Sequence, residues 1–392
     1  MPDRSTPDAL RPHVKRALIP ALIVRWLGNT VIRFPFTFLP AISRGSGLSI
    51  DQLSLILSMR DLTGLTAPSV GRAADRFGPG RVMVVFGWLG AAATLASALG
   101  SYGLAIGFVV FGFAKIGFDV ALNGWVGEEV AYRRRARVSG IIELTWALAA
   151  LVGIPVVGLL IDGFSWWLPA VVIGGLSLPA TMALQSAFRD GNHRAGEREV
   201  EPFSLAPLRR KSVIGVILAI GGLNLGSQIV VVTHGRWLED VYNFDPAAIG
   251  FAVITIGLVE FFASGSSAGV ADRLGKRRSL LTGGLVLAAA MGVMAIVPAP
   301  PLPVGLALLA MAFLGYEFGF VSSLPLIAEL DPSARSTIIG FVIGGATLFR
   351  AIGSPLGTWL YNSGEWRQAM VGGTLGTIAG LGILVAMVKE PS

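Results

Sequence analysis

The chain contains no cysteine. Disulfides, thiolate metal sites and thiol nucleophiles are therefore closed to it, and the redox compartment leaves no mark on the sequence. Histidine is almost as scarce, with only His13, His193 and His234, read here as lying in the N-terminal tail or in loops. No His-x-x-x-His pair is present and no Gly-x-Ser-x-Gly stands in a catalytic context, so the usual equipment of an intramembrane hydrolase is missing and no enzyme, metal site or cofactor is expected. The nucleotide-cradling Gly-x-x-x-x-Gly-Lys-Ser/Thr sequence is absent too, which argues against a nucleotide-driven pump. Charge is the third scarcity. Only 14% of residues are charged, against 53% hydrophobic, far from the balance of a globular domain.

What fills the chain instead is apolar runs of about 20 residues separated by short polar loops, the length an α-helix needs to cross about 30 Å of hydrocarbon while bonding its own backbone. Twelve spans are read at 17–41, 52–70, 82–99, 103–126, 138–161, 166–187, 213–233, 247–268, 279–297, 304–328, 336–360 and 368–388. The expected fold class is an all-α membrane protein of twelve transmembrane helices in two pseudo-symmetric six-helix halves. The halves are 1–188 and 213–392, joined by a charged, Gly- and Pro-containing cytoplasmic linker at 189–212. The formal charge of +7 needs no nucleic acid to explain it. Of the 31 Lys and Arg, 23 fall on alternate loops and the two ends, while Arg44, Arg236 and Arg367 alone fall on the other side. This positive-inside bias places both termini in the cytoplasm of a bacterial-type inner membrane. Trp166, Trp167, Trp237 and Trp366 are read as a headgroup belt.

A hydrophilic loop occurs twice. Gly71-Arg72-Ala73-Ala74-Asp75-Arg76-Phe77-Gly78-Pro79-Gly80-Arg81 is answered by Ala268-Gly269-Val270-Ala271-Asp272-Arg273-Leu274-Gly275-Lys276-Arg277-Arg278, with Asp75 and Asp272 197 positions apart. A Gly-x-x-x-Asp-Arg-x-Gly loop followed by basic residues, between the second and third helix of each half, resembles the signature of the major facilitator superfamily. The resemblance implies a monomeric secondary transporter that works by alternating access on a small-molecule substrate, in contact with membrane lipid. Gly71, Asp75, Arg76, Gly78 and Arg81, with Gly269, Asp272, Arg273, Gly275, Lys276 and Arg277, are then expected to form gating loops. The two copies depart differently from the pattern, since Pro79-Gly80 interrupts the first basic run and Ala268 replaces the leading glycine of the second. Gly153-Ile154-Pro155-Val156-Val157-Gly158 partly matches the helix-5 element of the twelve-helix drug/proton antiporters.

Charges inside spans cost roughly 2.5 to 3.5 kcal/mol each, so each needs a reason. Arg25, Asn29 and Arg33 recur at four-residue spacing, as do Lys115, Asp119 and Asn123, so each trio forms one helical stripe. Asn224 and Gln228 are four apart, and Tyr316 and Glu317 adjoin. The resemblance implies that the helices bearing these ten residues line a central cavity, where they serve proton coupling or substrate binding. Equal depths predict an Arg25–Asp119 ion pair, read either as a proton switch or as a static packing pair. Arg33 has no evident partner and is the candidate for holding an anionic substrate group. Asp61, Glu143, Glu260 and Arg350 are expected to be interface charges, Arg350 pairing with Asp61 or Glu260 and Glu143 bonding to the basic loops. Proton-coupled efflux of lipophilic or amphiphilic molecules, powered by the proton gradient alone, is the leading functional expectation. The alternative is proton-symport uptake of a polar or anionic solute such as a sugar or organic acid.

Overall fold

The computed structural model describes residues 12–189, 206–329 and 335–388, apart from the side chains of Tyr132, Ala136, Arg189, 206–207, 264–273, 324–325, 328–329 and 335–337. Among the described residues every regular element is helical. The first half runs α1 (Pro12–Thr37), α2 (Leu39–Ser46), α3 (Ile50–Leu62), a 3-10 turn (Thr63–Thr66), α4 (Ala67–Phe77), α5 (Pro79–Ala96), α6 (Gly100–Glu129), α7 (Tyr132–Leu148), a π turn (Ala149–Gly153), α8 (Ile154–Gly163) and α9 (Leu168–Arg189). The second runs α10 (Lys211–Tyr242), α11 (Pro246–Ala252), α12 (Ile254–Leu274), α13 (Lys276–Ile296), α14 (Leu302–Glu329) and α15 (Arg335–Met387). Most of the expected linker lies outside the described residues.

Ten helical stretches are long and apolar enough to cross a membrane, so this is a multi-pass membrane protein. That number differs from the twelve runs in the sequence for two visible reasons. The run at 50–77 is broken by the Thr63–Thr66 turn, and α15 is bent at Gly364 and Glu365, where the backbone leaves helical geometry.

Local chemistry sets the ends. Ser49 caps α3 reciprocally with Gln52, its hydroxyl accepting from the Gln52 N–H at 3.1 Å while the Gln52 side chain accepts from the Ser49 N–H at 2.9 Å. Asp245 caps α11 by accepting from Ala248 N–H at 2.7 Å. The two signature loops are each reduced to one non-helical residue. Gly78 at φ +87° joins α4 to α5, and Gly275 at φ +86° joins α12 to α13. Only glycine occupies that region without strain, so the repeat in the sequence is a repeat of one backbone joint. The Pro79-Gly80 departure also has a use. Pro79 takes the first position of α5, where its missing N–H costs nothing, and Gly80 packs directly against the Phe188 ring of α9.

The described residues show how the halves meet at the distal face. His13 lies 2.9 Å from Glu129, and Arg277 donates to the Val385 carbonyl at 3.2 Å, which groups the starts of α1 and α13 with the ends of α6 and α15 at one face, the termini face. Among the described residues, hydrogen bonds cross between the halves from Arg33, Thr37, Arg44, Asp51, Ser54 and Ser58 of the first half, in the stretch between mid-α1 and α3 that passes through the opposite, distal face. There α8 crosses α11 almost backbone to backbone: a Cβ on Gly158 would sit 2.5 Å from the Pro246 carbonyl oxygen and 3.3 Å from Gly250 Cα. Gly235 of α10 packs just as closely on the Thr37 carbonyl of α1.

Trp237 and Trp366 are not part of a headgroup belt. They are 0% and 2% exposed, stack on each other at 4.7 Å between ring centres, and Trp237 Nε1 donates to the Pro298 carbonyl at 2.8 Å. Burying two ring faces against each other outweighs the interfacial preference.

Candidate functional site

Between the halves lies a cavity of about 790 Å³, large enough for a drug-sized molecule. Its first-half wall is supplied by α1 through Ile32, Arg33, Phe36 and Thr37 and by α7 from Arg137 to Trp146; its second-half wall comes from α10, α12, α14 and α15. Arg137 and Gly140, near the start of α7, carry it toward the termini face. Most of the lining is apolar or aromatic, with Phe36, Trp146, Phe313 and Phe320 among it.

The dominant polar feature is an ion pair across the halves. Arg33 of α1 donates to both oxygens of Glu260 of α12, Nη1 to Oε2 at 2.8 Å and Nη2 to Oε1 at 3.1 Å. The side chains are 10% and 5% exposed, and the Arg33 guanidinium lies 4.6 Å from the Trp146 ring centre. This corrects the expectation that Arg33 is unpartnered. Its partner is 227 positions away, on a helix of the other half, so no stripe on α1 could reveal it. The two-pronged geometry is the strong form of an arginine–carboxylate contact.

Arg350 is likewise not where the charge inventory put it. Asp61 accepts from its neighbour Arg60 through Oδ1 at 3.0 Å, its buried Oδ2 meeting no hydrogen-bond donor among the described residues, and Glu260 is taken by Arg33; neither acid bonds to Arg350. Arg350 lines the cavity on α15 and makes no hydrogen bond or ion pair among the described residues. Glu143 does not bond to the basic loops but to Arg25, at 3.1 Å, with its other side on the cavity.

Arg25 is saturated. Nε meets Asp119 Oδ1 at 3.3 Å, Nη1 donates to the Ile142 carbonyl and to Thr145 Oγ1 at 2.8 Å, and Nη2 meets Glu143. Asp119 also pairs with Lys115, one turn before it. Asn29 donates to Thr145 Oγ1 at 3.0 Å. Arg25, Asn29, Lys115 and Asp119 thus form one cluster that ties α1, α6 and α7 together inside the first half. None of the four lines the cavity, and Asn123, further along the stripe, is exposed. On α10, Gln228 lines the cavity and donates to Ser354 Oγ at 2.9 Å, whereas Asn224 sits one turn behind the wall and accepts from the Tyr316 hydroxyl at 3.0 Å. Tyr316 and Glu317 of α14 both line the cavity.

His234 was missed. The sequence reading ends the span at 233, yet α10 continues to Tyr242 because Gly235 lets it pack against α1. His234 is 3% exposed, stands on the cavity wall, shares a 3.5 Å contact with Thr37 Oγ1 and places Nδ1 2.8 Å from the Val231 carbonyl. The signal was available, since Asn224, Gln228, Val231 and His234 continue one helical stripe.

Of the loop residues, Asp75 makes no hydrogen bond or ion pair among the described residues. Gly71 lies in α4 over Val120, Arg76 lies 5.3 Å from the Phe77 ring centre, Arg72 donates to Ser69 at 3.2 Å, and Arg81 is exposed. In the second copy Lys276 begins α13; Gly269, Asp272 and Arg273 fall within α12, with side chains outside the described residues. The partial antiporter element is the π turn and the start of α8, and its Gly158 makes the α8–α11 crossing. Among the described residues no group of His, Asp and Glu could hold a metal ion.

A family model of the Major Facilitator Superfamily matches residues 21–235 and 214–392. Among curated relatives, the uncharacterized MFS-type transporter YceJ of Bacillus subtilis (strain 168) is 25% identical over 260 residues, covering 64% of this chain and 64% of its own. The MFS-type transporter YwfA of the same organism, also uncharacterized, is 24% identical over 264 residues, covering 64% and 62%. The multidrug transporter AQR1 of Candida glabrata is 27% identical over 197 residues, covering 50% of this chain and 33% of its own. The chain thus matches less than two thirds of the length of each. Among solved structures, a bacterial homolog of the human lysosomal transporter Spinster, in an inward-facing and unoccupied conformation, superposes with a TM-score of 0.75 at 14% identity, covering 98% of this chain and all of the other. That likeness is one of fold.

Proposed function

We propose that this chain, which belongs to the Major Facilitator Superfamily, exports small lipophilic or amphiphilic molecules in exchange for protons, by alternating access. The observation that carries the reading is the cavity, mostly apolar and aromatic, set between two halves joined at the distal face and bridged by one buried ion pair. A cavity whose apolar and aromatic surfaces stand beside discrete polar groups suits amphiphilic or lipophilic cargo, and one relative is named a multidrug transporter. In this reading the run from α3 to α4 counts as one bent span and α15 as two meeting near Gly364, which gives twelve. The reading takes the present conformation, with its distal contacts closed, as the one facing the termini side, which the basic-residue bias assigns to the cytoplasm. The unpaired Asp75 fits a loop latch that closes only in the opposite state.

Glu260 is the proposed proton carrier. Protonating it removes the charge that holds Arg33, and so weakens the link between α1 and α12 across the halves. Trp146, His234, Tyr316 and Glu317 line the same cavity. Asp119, by contrast, bridges Arg25 and Lys115 within one half, so its protonation would not act between halves. Expression in a pump-deficient bacterium tests the export reading: resistance to several lipophilic compounds should rise. No change across a broad panel would favour proton-symport uptake of a polar or anionic solute. The hydrogen-bonding patch of Ser227, Gln228 and Tyr316 on the second-half wall is what supports that second reading.

A further inference from the structure

We infer that the cavity selects amphiphiles whose polar end is an anion, and that Arg350 receives it. The inference rests on the cavity being the transport site, and it begins with the charges on the wall. Six charged residues line the cavity: Arg33, Arg137, Arg350, Glu143, Glu260 and Glu317. Arg33 and Glu260 neutralise each other, and Glu143 is engaged by Arg25 from behind the wall. Glu317 is not free of interactions. The two cations Arg137 and Arg350 make no hydrogen bond or ion pair among the described residues. Arg137 is exposed near the start of α7, whereas Arg350 is half-buried. A partly desolvated guanidinium presents five donors and no acceptor, so its position inside the protein is costly unless a ligand supplies the acceptor.

The surroundings of Arg350 look like one end of a binding site. One helical turn on, Ser354 accepts from Gln228 of α10. One turn before Gln228, Asn224 accepts from Tyr316 of α14. Arg350, Gln228 and Tyr316 therefore present polar groups to the cavity from three helices of one half. The first-half wall offers the Phe36 and Trp146 rings instead. A planar guanidinium fork matches a carboxylate, sulfonate or phosphate group through two parallel hydrogen bonds, while the rings take an apolar body. The anion could arrive as a soluble aromatic acid or as a single-chain lipid, which share this head-and-body chemistry.

Binding to the purified full-length protein in an uncharged detergent, measured by calorimetry, decides it. The probes are 1-naphthaleneacetate, its neutral amide, 1-naphthylmethylammonium, and dodecanoate. 1-Naphthaleneacetate should bind at least about tenfold more tightly than either the amide or the cation. Arg350→Gln should bring acid and amide together while leaving amide affinity unchanged, which also reports that the variant is folded. Arg350→Lys should keep part of the preference, and Arg137→Gln all of it. Dodecanoate matching or exceeding naphthaleneacetate would assign the lipid source, and the reverse the soluble one. Equal or tighter binding of the amide or cation, an acid preference that survives Arg350→Gln, or no binding by any probe overturns the inference. Loss of the acid preference with proton-driven flux intact would remove this inference alone. Loss of that flux with the preference intact would remove the export reading alone.

Discussion

Substituting Gly158 by alanine tests the distal contact between the halves. The added Cβ would sit 2.5 Å from the Pro246 carbonyl oxygen and 3.3 Å from Gly250 Cα, both backbone atoms of the other half, so the neighbour cannot rotate away. Overpacking of this kind costs about 1 to 3 kcal/mol. Opposing it, alanine favours a helix over glycine by roughly 0.5 to 1 kcal/mol, but that gain is the same in any conformation and cancels from a comparison of states. The overlap exists only while α8 and α11 touch. Gly158→Ala should therefore move the equilibrium away from the distally closed state by about 5- to 150-fold. The cysteine-free chain makes the assay clean. Gln52→Cys and Ser363→Cys, both exposed near the distal face, can carry the only two spin labels in the molecule. The distance distribution should gain a longer population in the Gly158→Ala background. An unchanged distribution, or one shifted to shorter distances, would show that α8 and α11 do not part during the cycle.

Other expectations concern the charge clusters and the joints. Removing one partner of a buried ion pair costs about 3 to 5 kcal/mol, and more than removing both; Arg33→Gln with Glu260→Gln should accordingly have a higher unfolding temperature than Arg33→Gln or Glu260→Gln alone, and additive losses would deny the coupling. Asp119→Asn strands Lys115 and weakens the hold on Arg25. It should lower thermal stability by about 1 to 3 kcal/mol, less than a fully buried pair because Asp119 is 26% exposed, while leaving proton coupling in place; loss of coupling with unchanged stability would restore Asp119 as a switch. Gly78→Ala meets no neighbour, so its whole cost is backbone strain at φ +87°, ψ 133°, about 1 to 3 kcal/mol. Gly47→Ala, also without a neighbour but at φ +75°, ψ 3° in the milder left-handed region, should cost about 1 to 2 kcal/mol, and a larger loss at Gly47 would refute that assignment.

Local features were legible in the sequence and long-range ones were not. Apolar run length identified a membrane protein, and the spacing of Asp75 from Asp272 pointed to a repeat that the structure renders as the Gly78 and Gly275 joints. Arg25 and Asp119 could be brought together by depth along two helices of one half, and they lie 3.3 Å apart. Arg33 and Glu260 could not, because which face of α12 meets α1 depends on how whole halves dock. The same limit left Arg350 with two candidate partners when it has neither. His234 was lost to a span boundary drawn one residue early, at a polar Thr-His-Gly-Arg stretch that reads as a loop until Gly235 is seen against Thr37. Trp237 and Trp366 followed a membrane-wide tendency that a specific ring stack overrode.

The central claim is that cargo movement through this cavity is tied to a proton by way of Glu260. Everted membrane vesicles from expressing cells, energised to an acidic interior and reported by a pH-sensitive dye, measure that directly. Addition of amphiphiles from a panel should release protons from vesicles with the native chain and not from vesicles with an equal amount of folded Glu260→Gln. Proton release that is equal in the two, or absent for every amphiphile, would contradict it.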